Sequence, residues 1–228
     1  MTQLNSAVAL VPAAGRGERL GYGMPKALVP VRGVPLLVHA VRGLLDAGRV
    51  RHVVVAAPPD DVDAVSALVG GLPVDVVPGG ADRTASVGAA LRHAVAAFPD
   101  VRIVLVHDAA RAFTPPEVVG RVVDAVAAGS EAVVPVLPVT DTVKRVDADG
   151  VVLDTPDRAA LRVVQTPQGF AVDTLVRAHG SGVSATDDAG LVEKLGVPVA
   201  TVAGHPSAMK VTTPHDLAVA EKVLVEGL

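Results

Sequence analysis

Between Gly15 and Lys26 the chain places three cations, Arg16, Arg19 and Lys26, among four glycines, Gly15, Gly17, Gly21 and Gly23. Glycine lets backbone N–H groups approach a ligand closely, and clustered cations neutralise phosphate oxygens. The combination suits a polyphosphate. The plainer reading is a flexible loop with solvated charges. It ranks lower because an apolar run, residues 7–11, stops at Pro12 and feeds straight into this loop. That is where open α/β sheets place ligands. Asp108 and Arg111 follow a second apolar run, 102–106, and so also stand at the end of an expected buried strand. A lone aspartate there is often only a helix cap, but the adjoining arginine, a type suited to bidentate phosphate contacts, favours a site. His107 reads as structural.

Two better-known phosphate loops do not fit. The dinucleotide fingerprint needs G-x-G-x-x-G, and Gly15, Gly17 and Gly21 are spaced one residue too far. The next expected strand ends in Ala57-Pro58 rather than in a ribose-binding acid. A Walker loop needs Gly-Lys-Ser/Thr, whereas Lys26 sits in Met-Pro-Lys-Ala.

Composition narrows the classes further. The 228 residues make one large domain or two small ones, long enough to bury a core without staples. There is no cysteine, which excludes disulfides, thiolate catalysis and cysteine-bound zinc. Three Phe, one Tyr and no Trp leave a core of Val, Ala and Leu and no stacking platform for nucleic acid. A net charge of −4 without a basic run also argues against a polyanionic partner. Residues 1–6 lack the character of a signal peptide, and no apolar run of membrane-spanning length occurs. The expectation is a soluble, cytoplasmic protein that binds neither nucleic acid nor membrane.

Periodicity predicts the elements that carry these residues. Pro35 opens a helix whose apolar face is Leu36, Leu37, Ala40, Val41, Leu44 and Leu45, with Gly48 as its stop. Strands are expected over 52–57, 74–77, 102–106 and 132–136. Helices are expected between them, one capped by Asp60 or Asp61, one carrying Val87, Leu91, Ala94, Val95 and Phe98, and one opened by Thr114-Pro115-Pro116-Glu117 as a capping box. This alternation predicts a doubly wound, mostly parallel α/β sheet. It then breaks. Residues 141–146 and 151–154 flank Asp147-Ala148-Asp149-Gly150, a hairpin signal, and 161–165 reads as another strand. An antiparallel arm over about 138–165 is therefore expected to project from the sheet and to pair with a second copy in a symmetric dimer. Helices near 173–178 and 187–195, strands near 198–202 and 208–212, and a helix opened by the capping box Thr213-Pro214-His215-Asp216 complete the expected layout.

Several motifs then converge. Pro12-Ala13-Ala14-Gly15…Arg19…Pro25-Lys26, Gly79-Gly80…Arg83…Ser86-Val87 and His107-Asp108-Ala109-Ala110-Arg111 come in one order. Asp141-Thr142-Val143-Lys144, Gln165-Thr166-Pro167-Gln168, Thr186-Asp187-Asp188-Ala189 and Lys210-Val211-Thr212 follow. Over nearly the whole chain this resembles the 2-C-methyl-D-erythritol 4-phosphate cytidylyltransferases of the non-mevalonate isoprenoid pathway. The first motif alone marks only the wider nucleotidyltransferase superfamily; the combination is specific.

The resemblance implies a Rossmann-like nucleotide-diphospho-sugar transferase fold, with 1–228 acting as a single, monofunctional domain and the β-arm making a homodimer. It implies CTP and methylerythritol phosphate as substrates, pyrophosphate as product, and magnesium or another divalent cation as cofactor. By the same resemblance Arg19, Lys26 and Lys210 are catalytic cations. Ala13, Ala14, Gly15, Gly80, Arg83, Ser86 and Asp108 bind the nucleotide. Asp108, Arg111, Thr142, Arg158, Thr166 and Thr186 bind the second substrate, Thr142 and Arg158 from the neighbouring subunit. Asp108 would touch a metal held mainly by the CTP phosphates. One departure is visible: relatives often carry an acid after the Gly-Gly pair, and here Ala81 stands there with Asp82 next. Thr186 reads equally as an N-cap, and Arg16 and Asp187 carry less support.

Two other functions compete. Ribitol-5-phosphate cytidylyltransferase shares fold, nucleotide and reaction class and differs only in the acceptor pocket. A nucleotide-binding regulator without activity would not need Arg19, Lys26 and Lys210 together. A dehydrogenase is disfavoured by the loop spacing.

Overall fold

A computed structural model describes residues 7–15 and 24–226, with side chains described through Lys222. The central sheet is built from β1 (Ala7–Pro12), β4 (Val50–Ala57), β5 (Val74–Pro78), β6 (Ile103–Val106), β7 (Ala132–Pro138), β10 (Arg162–Val164), β11 (Gln168–Ala171) and β12 (Val199–Ala203). The short pair β2 (Pro30–Val31) and β3 (Val34–Pro35) stands apart, as does the hairpin of β8 (Arg145–Val146) and β9 (Val152–Asp154). Helices α1 (Leu36–Asp46), α2 (Val62–Leu68), α3 (Arg83–Ala97), α4 (Pro116–Ala127), α5 (Val172–Gly180), α6 (Asp188–Glu193) and α7 (Pro214–Glu226) complete the described chain.

Strands β6, β1, β4 and β5 run parallel in that order. Strand β11 inserts antiparallel between β6 and β7. Val133 pairs with both Gly169 and Ala200, and Val136 with both Val164 and Ala203. A strand residue has only two neighbours, so β12 lies on the edge of β7 opposite β10 and β11.

Alternation along buried strands sorts their side chains to two faces. Ala7, Ala9 and Val11 join Val53, Val55, Ile103 and Leu105 under Leu37, Val41 and Leu44 of α1, Val65 of α2, and Val119, Val122 and Val123 of α4. Val8, Leu10, Val54, Val104 and Val106 face Val87, Ala90 and Leu91 of α3, Leu175 of α5, and Leu191 and Val192 of α6. The sheet is thus covered on both sides, as the strand–helix alternation predicts. A third cluster, Val29, Val31, Leu36, Ala112, Val211, Leu217 and Ala220, seats α7.

Several local expectations are corrected. Neither Asp60 nor Asp61 caps α2; Pro59–Asp61 forms a 3-10 turn, and Asp61 precedes α2 with no side-chain cap bond. The box at Thr114 does not form. Pro115 occupies the cap position, and the buried Thr114 hydroxyl bonds the carbonyl oxygens of Arg111 and Thr166 instead. Residues 208–212 are not a strand but a 3-10 turn, Pro206–Ala208, and a loop. Only 145–146 and 152–154 form the free hairpin, because β10 returns to the main sheet beside β7. The Thr213 box does form: Asp216 N donates to Thr213 Oγ1 at 3.2 Å, and Thr213 N to Asp216 Oδ2 at 2.8 Å.

Candidate active site

The site grows from the carboxyl ends of the parallel strands, each carried one step past its ladder by a backbone bond. Ala13 N donates to Ala56 O at 2.8 Å, Gly79 N to Ala57 O at 2.7 Å, and His107 N to Leu10 O at 2.9 Å. Three loops therefore leave the sheet side by side: 13–15, 79–82 and 107–111. A Cβ on Gly79 would lie 2.7 Å from Ala14 Cβ, and one on Gly80 only 2.4 Å from Ala85 Cβ. A larger residue at 79 would push the first two loops apart, and one at 80 would push the second loop off α3.

A cavity of about 670 Å³ opens there, lined by Ala14, Gly15, Pro25, Pro58, Gly80 and Ala81 among others. A smaller one of about 130 Å³ adjoins it through Gly15 and is lined by Ala13, Lys26, Asp108, Ala109 and Lys210. Lys26 enters on a 3-10 turn, Lys26–Leu28, that follows the glycine loop. Lys210 comes from the far end of the chain. Val211 N donates to Ala110 O at 2.8 Å, and Arg111 Nη1 donates to Ala208 O at 2.7 Å. The Gln165 amide is buried and clamps both the carbonyl and the N–H of His205. These bonds fold the 205–211 loop over the 107–111 loop.

Asp108 is the meeting point. Its Oδ2 accepts from Lys210 Nζ at 2.7 Å and its Oδ1 from Arg83 Nε at 3.3 Å, with only 13 % of the side chain exposed. Burial pushes the carboxyl up, but Arg83 and Lys210 outweigh it and bring it down to about 2. The carboxylate is ionised at any working pH. Beneath it, Thr166 Oγ1 accepts from Asp108 N at 3.1 Å and lies 3.0 Å from His107 Nδ1. Burial pushes the His107 ring down to about 4, so it is neutral near pH 7.

The family model described as IspD, 2-C-methyl-D-erythritol 4-phosphate cytidylyltransferase, matches residues 7–226. The chain belongs to this family. A cytidylyltransferase of that name from Saccharopolyspora erythraea is 65% identical over 222 residues, covering 96% of this chain and 99% of its own. One from Nocardia farcinica is 60% identical, covering 96% and 94%. The crystal structure of the Thermus thermophilus cytidylyltransferase is 39% identical, superposes with a TM-score of 0.77 and covers 96% of this chain and 98% of its own.

Within this cytidylyltransferase fold, the expected residues divide. Lys26, Lys210, Asp108, Ala13 and Gly15 line the smaller cavity, and Ala14, Gly15 and Gly80 the larger. Arg83 joins through Asp108. Ser86 lines neither of these cavities: it is 1 % exposed, its hydroxyl donates to Asp82 O, and it accepts from Gly80 N, so it shapes the glycine turn. Asp82, next to Ala81, caps α3 through Ala85 N. The Thr166 hydroxyl is buried under Asp108, where it accepts from the Asp108 N–H. Arg111 donates to the carbonyls of Ala208 and Val164 and stitches loops together. The cap of α6 is Asp187, through Gly190 N, while Thr186 stays exposed. Thr142 and Arg158 are exposed at the base of the arm, where Arg158 Nη1 donates to Thr140 O, and line neither cavity. Arg16 and Arg19 lie outside the described residues.

Sequence reasoning missed β11, Gln165 and Asp188. Strand β11 is a four-residue run, Gln-Gly-Phe-Ala, without an alternating pattern. Its glycine is demanded by α4, since a Cβ there would meet Val122 Cγ1 at 2.5 Å.

Among the described residues no group of three or more His, Asp or Glu forms a metal cage. Asp108 remains as one ionised carboxylate facing a cavity, a fit for a divalent cation that brings most of its ligands from substrate phosphates. No helix among those residues is long and apolar enough to cross a membrane.

Proposed function

We propose that this chain transfers the cytidylyl group of CTP to the phosphate of 2-C-methyl-D-erythritol 4-phosphate. The products are 4-diphosphocytidyl-2-C-methyl-D-erythritol and pyrophosphate. Family membership supports the reaction. The observation that carries the residue assignment is the convergence of Lys26, Lys210 and the ionised Asp108 on one small cavity beside a larger one floored by small residues. The larger cavity takes the cytidine, read through the backbone of Ala14, Gly15 and Gly80. Lys26 and Lys210, with Arg19, neutralise charge on the triphosphate as the α-phosphorus is attacked. Such reactions are driven by positioning and charge stabilisation. No general base is needed, because a phosphate monoester is already largely ionised near pH 7. His107, neutral and buried, agrees with that. Magnesium, carried by the triphosphate and touched by Asp108, would supply further neutralisation when bound.

The second substrate enters beside Asp108, and a partner subunit's arm completes the site. Two observations support a homodimer. Thr142 and Arg158 find no place in the cavities of their own chain. Val146, Val151, Val152 and Leu153 of the hairpin are 50–61 % exposed, and a two-stranded hairpin is marginal alone. A second copy would cover that stripe. The continuous sheet, drawing strands from both ends of the sequence, supports reading 1–228 as one nucleotidyltransferase domain.

The test is pyrophosphate release with CTP, magnesium and either methylerythritol phosphate or ribitol 5-phosphate. Turnover with the former alone is expected. Equal turnover with ribitol 5-phosphate would overturn the acceptor assignment, and equal use of ATP would overturn the base pocket.

A further inference from the structure

Asp188 is a carboxylate that the proposed reaction leaves unused. It opens α6, is 1 % exposed, and is held from three sides. The preceding Asp187 caps the helix through Gly190 N and accepts from Gln168 Nε2 at 2.6 Å, while Gln168 Oε1 accepts from Ala189 N. The first turn of α6 is thereby bolted to β11. Asp188 Oδ1 lies 2.9 Å from Nε2 of His179, in the last turn of α5, and that side chain is only 10 % exposed. Asp188 Oδ2 accepts from Arg83 Nη1 at 2.6 Å. A relay of polar contacts thus runs His179–Asp188–Arg83–Asp108–Lys210, from the outer helices to the small cavity.

The two bonds of Arg83 are unequal, 2.6 Å to Asp188 and 3.3 Å to Asp108. Arginine can bind one carboxylate with two parallel N–H donors. Asp188 holds Nη1 and so fixes the guanidinium in an orientation that gives Asp108 a single long contact from Nε. We propose that Asp188, steadied by His179, is a positioning residue: it anchors Arg83 and keeps the Asp108 carboxylate available to the substrates. Without the anchor, Arg83 closes on Asp108 as a bidentate pair and takes Asp108 out of the site. This rests on the reading of Asp108 and Arg83 as substrate-side groups.

The experiment is a double-mutant cycle on the full chain, with kcat and KM for both substrates measured by pyrophosphate release and the folded fraction by far-ultraviolet circular dichroism. Asp188→Asn keeps the shape and removes the charge. It should lower kcat/KM for the acceptor by about 10-fold to 10²-fold, the scale of an ångström-sized misplacement. In an Arg83→Ala background the same change should cost less than about twofold, within the scatter of a null coupling. His179→Gln retains an N–H donor toward Asp188 and should stay near the parent, whereas His179→Leu should fall in the parent background only. The His179 pair answers the same question if Asp188→Asn does not fold. A loss that multiplies unchanged in the Arg83→Ala background overturns the positioning role alone. An Arg83→Ala enzyme with parent kinetics overturns both this inference and the substrate-side reading of Arg83.

Discussion

Lys210→Met separates the two jobs that the structure allows Lys210. Its Nζ sits 2.7 Å from Asp108 Oδ2, but 45 % of the side chain is exposed. Asp108 is only 13 % exposed but stays paired with Arg83, so losing the open Lys210 partner should cost on the order of 1 kcal/mol. The loop does not depend on it, because Val211 N holds Ala110 O and Val211 itself is fully buried. The melting temperature should therefore fall by no more than about 4 °C for a chain of this size. Methionine keeps the apolar stem. If Lys210 neutralises the charge that develops on the phosphates, its loss should lower kcat by about 10²–10³, or roughly 3–4 kcal/mol of barrier. The assay is pyrophosphate release at saturating CTP and acceptor, run beside thermal unfolding of the same preparation. A kcat within about threefold of the parent would refute the catalytic role. A loss confined to KM for CTP would instead assign Lys210 to ground-state binding.

Three further outcomes are expected. Lys26→Ala and Arg158→Ala should each be inactive alone, yet mixing them under subunit exchange should restore activity, because one site of a heterodimer keeps both residues; no recovery despite demonstrated exchange would sink the shared site. Thr166→Val leaves the Asp108 N–H without its acceptor and should cost about 1–3 kcal/mol in urea unfolding, with Thr166→Ser close to the parent. His107 binds a proton near pH 6.5 when unfolded but only near 4 when folded. Its contribution is complete above pH 6.5 and is lost as pH falls toward 4, about 3 kcal/mol in all, and His107→Gln should flatten that part of the urea midpoint profile. Below pH 4 protonation of Asp108 and Asp216, both lowered to about 2, removes more stability.

Much of the site was legible because its residues sit at strand ends, where the change from an apolar run to Gly, Asp or Lys is abrupt. Gly15, Lys26 and Asp108 stand out that way, and all three line the small cavity; Gly80 is marked only by the family resemblance. Ser86, Thr166 and Arg111 also carry contacts inside the fold that their motifs do not announce, for a common reason. A hydroxyl or guanidinium beside a site motif looks the same whether it faces a ligand or the loop beneath. Only the structure shows the partners within the chain: Gly80 N and Asp82 O for Ser86, Asp108 N for Thr166, and the carbonyls of Ala208 and Val164 for Arg111. Thr114 failed as a cap for a related reason, since Pro115 took the position and the buried hydroxyl found carbonyls nearby.

Local chemistry was enough to determine the alternation of strands and helices and the absence of thiol chemistry. Each depends on residue types within a few positions of one another. The tertiary structure decided what depends on distance along the chain. Lys210 meets Asp108 across 102 residues and Asp188 meets Arg83 across 105. The antiparallel β11 between β6 and β7 sets where Gln165, Thr166 and Gln168 can reach. No periodicity encodes such pairings, because they arise only when both faces of the sheet are covered and the loops at its carboxyl edge are forced together.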